Sequence, residues 1–258
     1  MAEARAFLAL PHRPEPAGRP PPVPHGSSEA ARRLFRAGRP IPGTPAEAYL
    51  RARGIFGPLD WPVLRFHPAA WCRESPDSPR RSWPALLAAV TDPAGAITGL
   101  LRTWLDPLRP AKAPIADPRR ALGHLLGNGV RFGTAVDTLA AGEGIETVLA
   151  LKTVLPLLPM VAGLSANHLA ALAFPPAPRR LYVARDNDAA GRRATERLRE
   201  RGEAAGIEVR DLVPVHGDFN LDLCRLGPAG LLAHLAPQLA PADRARFLSR
   251  DPAADAGG

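Results

Sequence analysis

Acidic residues of this sequence recur directly after short apolar runs, at the places where β-strands are expected to end. Five carboxylates hold such positions: Glu143, Asp186, Asp188, Asp218 and Asp222. Hard divalent cations such as Mg²⁺ prefer oxygen ligands and keep several water molecules, so two or three carboxylates are enough to bind one. The spacing of Asp186 and Asp188 would let both side chains reach a single ion from a tight turn. The pattern predicts a metal-binding site.

Short apolar runs alternate with helical patterns through the second half of the chain. Strands are expected at residues 139–141, 160–164, 180–184 and 207–213, and helices at 146–154, 167–172 and from about 189 to 202–206. Such alternation predicts a parallel sheet built from βαβ units. Functional residues in these sheets collect beyond the carboxyl ends of the strands. The five carboxylates are therefore expected along one rim, where Gly142, Gly144 and Gly191 would let the backbone approach a phosphate closely.

Each of these acids also has a purely structural interpretation. Glu143 and Glu146 could stabilise the N-terminus of a helix, and Asp188 is a suitable N-cap for the long charged helix that follows it. The combination favours a functional site, because capping does not require an acid at both ends of the Asp186–Asp188 pair. A second strand end carrying Gly-Glu-Gly at residues 142–144 strengthens this interpretation.

The first half of the chain has a different organisation. Thr44 and Pro45 predict the start of a helix that stops at Gly54, and apolar runs at 83–90 and 97–104 flank a hairpin-like turn. Ten prolines fall within the first 45 residues, which predicts a disordered tail over residues 1–40. The chain has only two cysteines, far apart, which excludes a disulfide scaffold and a zinc ribbon.

Charge is distributed unevenly along the sequence. Residues before position 134 contain 19 basic and 10 acidic side chains, whereas the remainder contains 14 and 15. The basic half is expected to face a polyanion, although a generally arginine-rich composition with a basic tail would give the same balance. The apolar stretch 153–174 is interrupted by prolines and polar residues, so it favours two buried elements over a membrane span. A soluble, cytoplasmic protein with no membrane partner is expected.

Two segments of the second half resemble a known family. Residues 142–151 (GEGIETVLAL) and 181–191 (LYVARDNDAAG) together look like the paired signature of the Toprim domain, which bacterial-type primases, topoisomerases, RecR-like proteins and some nucleases share. By this resemblance Glu143 matches the family's glutamate, and Asp186 and Asp188 match its Asp-x-Asp. Residues 217–222 resemble, less closely, a later acidic segment. The resemblance implies Mg²⁺ or Mn²⁺ as cofactor, held by these acids together with Asp218 and Asp222.

The segments 101–106 and 111–120 resemble the region that precedes the Toprim domain in primases of phages and mobile elements. This resemblance implies an α/β fold, in which a Toprim-type parallel sheet with flanking helices follows a smaller α+β primase-like subdomain. The expected boundaries are 41–134 for the basic subdomain, 135–225 for the Toprim domain and 226–258 for a C-terminal helical segment and tail. Basic residues expected to contact nucleic acid or nucleotide are Arg102, Lys112, Arg119, Arg120, Arg192 and Arg193.

Three functions remain open at this stage. The first is a primase-like nucleotidyltransferase of bacterial DNA replication, which makes short primers on single-stranded DNA from NTPs or dNTPs, with a replicative helicase as an expected partner. The second is a metal-dependent nuclease that uses the same carboxylates. The third is a non-catalytic nucleic-acid-binding or recombination mediator protein. A topoisomerase is disfavoured, because neither tyrosine, Tyr49 or Tyr182, is placed as a nucleophile.

Overall fold

A computed structural model describes residues 27–75, 77–176 and 178–248. Its helices are α1 (Ser28–Ala37), α2 (Pro45–Arg51), α3 (Ile145–Val154), α4 (Ala166–Ala170), α5 (Ala189–Ala204), α6 (Phe219–Leu235) and α7 (Pro241–Leu248), with a 3₁₀ turn at Ala236–Gln238. Its strands are β1 (Leu64–Cys72), β2 (Arg81–Thr91), β3 (Ile97–Trp104), β4 (Arg119–Gly123), β5 (Val130–Phe132), β6 (Thr138–Gly142), β7 (Met160–Ala162), β8 (Arg180–Ala184) and β9 (Glu208–Leu212).

The strands form two sheets. The first is antiparallel with the order β1-β2-β3-β4, and its central hairpin turns at residues 92–96 as the sequence predicts. The second has the order β5-β7-β6-β8-β9, in which β7, β6, β8 and β9 run parallel. A parallel sheet flanked by helices and preceded by a smaller α+β unit confirms the predicted fold class.

The edge strand β5 was not expected from the sequence. It has three residues and runs antiparallel to β7, so it is too short to give a periodic signal. A backbone bridge joins Gly129, just before β5, to Thr91 at the end of β2. This bridge connects the edge of the second sheet to the first.

One apolar core spans both sheets. Tyr49 and Leu50 of α2, Leu86 of β2, and Ile145 and Leu149 of α3 belong to the same buried cluster. Residues from both sides of position 134 thus share one core, and the domain boundary there stays a prediction. This core fixes the first sheet and α2 against α3, the helix that begins beside Glu143.

Helix α1 corrects the prediction of a tail that extends to residue 40. Ala31 and Phe35 are buried against the first sheet, and Ser27 caps the helix by accepting a hydrogen bond from the Ala30 backbone N–H at 3.1 Å. The rest of the helix is strongly polar, so packing of its apolar face stabilises it rather than composition. Residues 1–26 of the predicted tail lie outside the described residues.

The C-terminal part is helical, as the sequence predicts, but α6 begins earlier and bends. Gly227 interrupts α6 with φ of 67°, immediately before Pro228. The apolar stretch 153–174 contains the end of α3, β7 and α4, which are separate elements with buried residues. Within the described ranges, every helix is too short or too polar to cross a membrane.

Candidate active site

The carboxyl ends of β6 and β8 open into a pocket of about 150 Å³ whose walls carry opposite charges. Glu143 follows β6, Asp186 follows β8, and Asp218 stands at the start of α6. The first sheet and α2 supply the facing wall. The lining residues are Arg53, Lys112, Arg119, Glu143, Gly144, Glu146, Thr147, Leu164, Asp186, Asp218 and Asn220.

Backbone contacts between loops bring the acids together. The carbonyl of Glu143 accepts a hydrogen bond from Leu164 N–H at 2.7 Å, which ties the end of β6 to the loop after β7. Asn187 donates its backbone N–H to Gly217 O at 2.8 Å, which joins the loop after β8 to the loop that carries Asp218. The rim of the parallel sheet thus places Glu143, Asp186 and Asp218 side by side, as the sequence predicts.

The Asp186 carboxyl group has a strongly raised pKa. Burial, followed by the charges of Glu143, Asp218 and Asp188, raises its pKa to about 7. Its Oδ1 atom is buried and has no hydrogen-bond partner in the described chain. Burial and the charge of Asp188 also raise the pKa of Glu143. Carboxylates repel one another when they share a site, and a cation would relieve that repulsion.

The residues present fit a hard divalent cation. The donors are carboxylate oxygens, which Mg²⁺ and Mn²⁺ prefer over softer ligands, and Asp186 offers an oxygen that no protein group satisfies. Among the residues described, no three acidic, histidine or cysteine side chains converge as a complete ligand cage. Such a set suits Mg²⁺ in particular, because that ion is usually held by one or two carboxylates and completes its shell with water.

Asp188 and Asp218 each cap a helix while bordering the acidic rim. Asp188 Oδ1 accepts the Gly191 N–H at 2.7 Å at the start of α5, and Asp218 Oδ1 accepts the Leu221 N–H at 2.7 Å at the start of α6. The structural interpretation of Asp188 as an N-cap is therefore correct, and its charge still acts on Glu143 and Asp186. A Cβ atom on Gly191 would lie 2.6 Å from Asp186 O, so only glycine lets α5 begin this close to Asp186.

Two family models match the chain and together account for most of it. Residues 138–229 match the Toprim domain, and residues 25–132 match a domain of unknown function, DUF7146. The chain therefore carries a Toprim domain. This confirms the resemblance inferred from residues 142–151 and 181–191. No curated protein matches the sequence.

Solved primase structures share the fold over most of the chain. A DNA primase domain from Pseudomonas aeruginosa aligns with a TM-score of 0.54 and 18% identity, over 85% of this chain and 81% of that chain. A DnaG primase catalytic domain bound to single-stranded DNA gives 0.52 and 20%, over 85% and 86%. The E. coli primase catalytic core gives 0.50 and 17%, over 85% and 84%. At these identities the likeness establishes the fold alone.

The wall opposite the Toprim carboxylates is basic. Lys112 and Arg119 reach the pocket, as the sequence predicts, and Arg53 joins them from the segment after α2. The Arg53 guanidinium lies 4.9 Å from the centre of the Tyr49 ring and donates to Asn220 Oδ1 at 3.2 Å. Three cations thus line the same pocket as the carboxylates that follow β6 and β8.

Arg102 and Arg120 were expected to contact nucleic acid or nucleotide, and the structure places them on the face of the first sheet that is turned away from the acidic pocket. They are opposite each other in the β3–β4 ladder, whereas Arg119 is opposite Thr103. Side chains alternate between the two faces of a strand, so neighbouring Arg119 and Arg120 point in opposite directions. Arg120 donates to the carbonyls of Arg73 and Glu74, and the Arg102 guanidinium lies 5.0 Å from the Trp104 ring.

We call the surface around these two arginines the outer basic surface. A shallow pocket there is lined by Trp71, Cys72, Arg73, Arg80, Arg102, Trp104 and Arg120. The Trp71 side chain is 66% exposed, which is unusual for so large an apolar group. Arg192 and Arg193 are exposed in the first turns of α5 and do not line the acidic pocket.

Asp222, a predicted metal ligand, has a different environment from the other acids. It is fully buried, and its oxygens accept the backbone N–H groups of Val215 at 2.7 Å and His216 at 2.9 Å. Its Oδ1 also lies 2.6 Å from Nδ1 of His216. These contacts hold the loop that presents Asp218, and they leave Asp222 outside the pocket lining. The structure therefore gives Asp222 a supporting position instead of a place among the ligands.

Three pocket residues were missed in the sequence as functional groups: Arg53, Glu146 and Asn220. In the sequence Arg53 lies only near a helix end, and the position of Glu146 suits the stabilisation of a helix N-terminus. Asn220 lies within the acidic segment 217–222, where the carboxylates give the stronger signal. The basic residue type of Arg53 in a positively charged half was the one available signal.

Replacing Asp186 with asparagine should change the pH dependence of stability. The pKa of Asp186 is raised from 3.8 to about 7 in the folded protein, so folding favours its protonated form. The contribution of Asp186 to the free energy of unfolding is fully present below about pH 4 and is lost as the pH rises through 7. After discounting for solvent exposure, the loss is on the order of 1–2 kcal/mol. The free energy of unfolding of the Asp186→Asn variant should not show this decrease with rising pH.

Urea unfolding at pH 5 and pH 8 in a chelator measures this effect for both proteins. Addition of Mg²⁺ or Mn²⁺ at pH 8 should stabilise the native protein more than the variant, because a ligand that binds only the folded state raises its stability. Equal pH slopes and equal cation effects in the two proteins would contradict the assignment of Asp186.

Proposed function

We propose that this protein is a primase-like nucleotidyltransferase that joins nucleotides on a single-stranded DNA template. One observation carries the proposal. Glu143, Asp186 and Asp218 face Arg53, Lys112 and Arg119 across a single pocket, and this is the arrangement that a nucleoside triphosphate with a divalent cation requires. The primase fold supports it, since one solved core of this fold is a DnaG domain bound to single-stranded DNA.

The chemistry follows from the two walls of the pocket. Asp186 and Asp218 would hold Mg²⁺ or Mn²⁺, which would neutralise charge on a triphosphate and stabilise the attacking and leaving oxygens. The guanidinium and ammonium donors of Arg53, Lys112 and Arg119 would bind the phosphate oxygens. In the reaction the 3′-oxygen of one nucleotide bonds to the α-phosphorus of the next, and pyrophosphate leaves.

Glu143 is the group placed to receive the proton of the 3′-hydroxyl. A general base works best when its pKa lies near the operating pH, and burial with the nearby charge of Asp188 raises the pKa of Glu143 in that direction. Its backbone is fixed by the hydrogen bond from Leu164 N–H. A carboxylate held in this way can accept the proton without moving the loop.

The outer basic surface, on the face of the first sheet turned away from the pocket, would hold single-stranded DNA outside the catalytic pocket. Exposed Trp71 can stack on a base, and Arg80, Arg102 and Arg120 can contact phosphates without reading sequence. Trp71→Ala should weaken binding of an oligo-dT strand about tenfold, because base stacking on an aromatic ring contributes about 1–3 kcal/mol. Fluorescence anisotropy at fixed salt concentration measures it.

The exposed Leu126, in the turn after β4, offers a matched control, as it is 71% exposed and outside this surface. Leu126→Ala should bind the strand as tightly as the native protein does. Unchanged binding by Trp71→Ala would place the template elsewhere. A replicative helicase as partner, a role in replication of a mobile element and a bacterial cytoplasmic location stay predictions of the sequence resemblance.

The proposed reaction is tested with two incubations of purified protein in Mg²⁺ or Mn²⁺. One contains single-stranded DNA with labelled NTPs and dNTPs, and the other contains labelled DNA alone. New oligonucleotides or extended strands that disappear in Asp186→Asn support the proposal. Cleavage of the labelled DNA that disappears in the same variant would instead establish the nuclease. Binding without chemistry under any of these conditions would leave the mediator protein.

A further inference from the structure

We infer that Glu146 is a positioning residue. It holds the side chains of Lys112 and Arg119 where they would bind the phosphates of a nucleoside triphosphate. This inference rests on the proposed function. Glu146 stands in the first turn of α3, three residues after Glu143, but it faces the cations and not the other acids. An acidic side chain of the Toprim domain would thus act in phosphate binding by positioning two cations.

The contacts of Glu146 connect four elements. Its Oε1 accepts a hydrogen bond from the Tyr49 hydroxyl at 2.6 Å and lies 3.8 Å from Lys112 Nζ. Its Oε2 lies 3.5 Å from Arg119 Nη1. Tyr49 belongs to α2, Lys112 to the segment between β3 and β4, and Arg119 begins β4. A single carboxylate of the second sheet's helix therefore fixes two cations of the first sheet's subdomain.

The charge state of Glu146 differs from that of its acidic neighbours. Burial alone would raise its pKa, but the Tyr49 hydrogen bond and the charges of Arg119 and Lys112 outweigh burial and lower it. Its side chain is 12% exposed, whereas those of Lys112 and Arg119 are 27% and 41% exposed. The anion is thus enclosed, and the two cations remain open toward the pocket.

The separations of 3.5 and 3.8 Å are long for hydrogen bonds of charged groups. An ammonium has three N–H donors and a guanidinium has five, so both cations keep donors for phosphate oxygens while Glu146 holds them by charge. The short Tyr49 bond prevents the carboxylate from swinging toward the cations. Glu146 therefore limits the positions of two long, flexible side chains without occupying their donors.

Selective labelling of lysine tests this role independently of catalysis. The chain has only two lysines, Lys112 and Lys152. Lys152 is remote from the acidic pocket and buried, with Nζ donating to the carbonyls of Pro156 and Leu158, so it serves as an internal reference. Acetic anhydride at pH 8 followed by mass spectrometry reports the modification of each lysine. Protection of Lys112 by a mixture of NTPs, dNTPs and Mg²⁺ reports occupancy of the pocket.

We expect Glu146→Gln to raise about tenfold the nucleotide concentration at which half of Lys112 is protected. Each of the two partly exposed ion pairs of Glu146 contributes up to about fivefold to an equilibrium constant. Tyr49→Phe, which keeps the carboxylate but loses its hydrogen bond, should raise it about threefold. In the primer assay the KM for nucleotides should rise about tenfold in Glu146→Gln, with kcat within threefold of native. Glu196→Gln, an exposed substitution on α5, is the matched control and should change nothing.

Equal protection of Lys112 in native protein and folded Glu146→Gln overturns the inference. Absence of protection in the native protein overturns the proposed nucleotide site itself, so the two failures are distinguishable. Circular dichroism establishes whether Glu146→Gln folds, and if it does not, Tyr49→Phe decides. Unchanged half-protection in Tyr49→Phe would then contradict the positioning role.

Discussion

Glu143→Gln is expected to reduce nucleotide incorporation about 10³-fold, within the range of loss that follows removal of a general base. Glutamine has nearly the same shape but cannot accept the proton of the 3′-hydroxyl. It also removes one of the charges that raise the pKa of Asp186. The variant should therefore fold at least as stably as the native protein while losing activity. Single-turnover incorporation on a primed template measures the chemical step.

Glu196→Gln again serves as the control, because it changes the same residue type on an exposed helix face. It should retain native incorporation. Protection of Lys112 by nucleotide should persist in Glu143→Gln, since Lys112 and Arg119 are intact. Incorporation within fivefold of native in the folded Glu143→Gln protein would exclude Glu143 as the base.

Asp222→Ala is expected to have the largest effect on stability, a loss of about 2–4 kcal/mol, because alanine removes the acceptor of two backbone N–H groups and the partner of the His216 ring. Asp222 is fully buried and accepts the N–H groups of Val215 and His216 in addition to contacting the His216 ring. Alanine would leave these partly buried donors without their acceptor. Urea unfolding at neutral pH measures the change in the free energy of unfolding.

The exposed Asp60 provides the comparison, and Asp60→Ala should change stability by less than about 0.5 kcal/mol. The same experiment separates the two roles considered for Asp222. A small loss of stability accompanied by a loss of Mg²⁺-dependent stabilisation would show that Asp222 is a metal ligand, as its position in the sequence suggests. A large loss of stability supports its role as the residue that holds the loop before Asp218.

The strands and the acids of the second half could be predicted from the sequence because the signals are local. The runs 139–141 and 181–184 are apolar throughout, and parallel strands necessarily bring their carboxyl ends to one rim. Glu143, Asp186 and Asp218 therefore meet in the structure as expected. The helix at Thr44–Pro45 and the turn at residues 92–96 follow from local backbone preferences in the same way.

Tertiary structure alone decided which charged groups share the pocket. Arg119 and Arg120 are neighbours in sequence, but strand alternation sends them to opposite faces, and only the register of β4 against β3 determines which one faces the acids. Helix α1 also depends on tertiary structure, because its largely polar sequence is stabilised as a helix by the packing of Ala31 and Phe35 on the first sheet.

Glu146 and Asp222 show the physical reason most clearly. Both are acids near a helix start, and in the sequence each resembles the neighbouring carboxylates that are predicted to bind a metal ion. One is surrounded by Tyr49, Lys112 and Arg119 from a distant part of the chain, and the other by the backbone N–H groups of its own loop. The sequence by itself shows that each residue is an acid near the start of a helix. The role of each carboxylate depends on which partners the long-range packing brings to it.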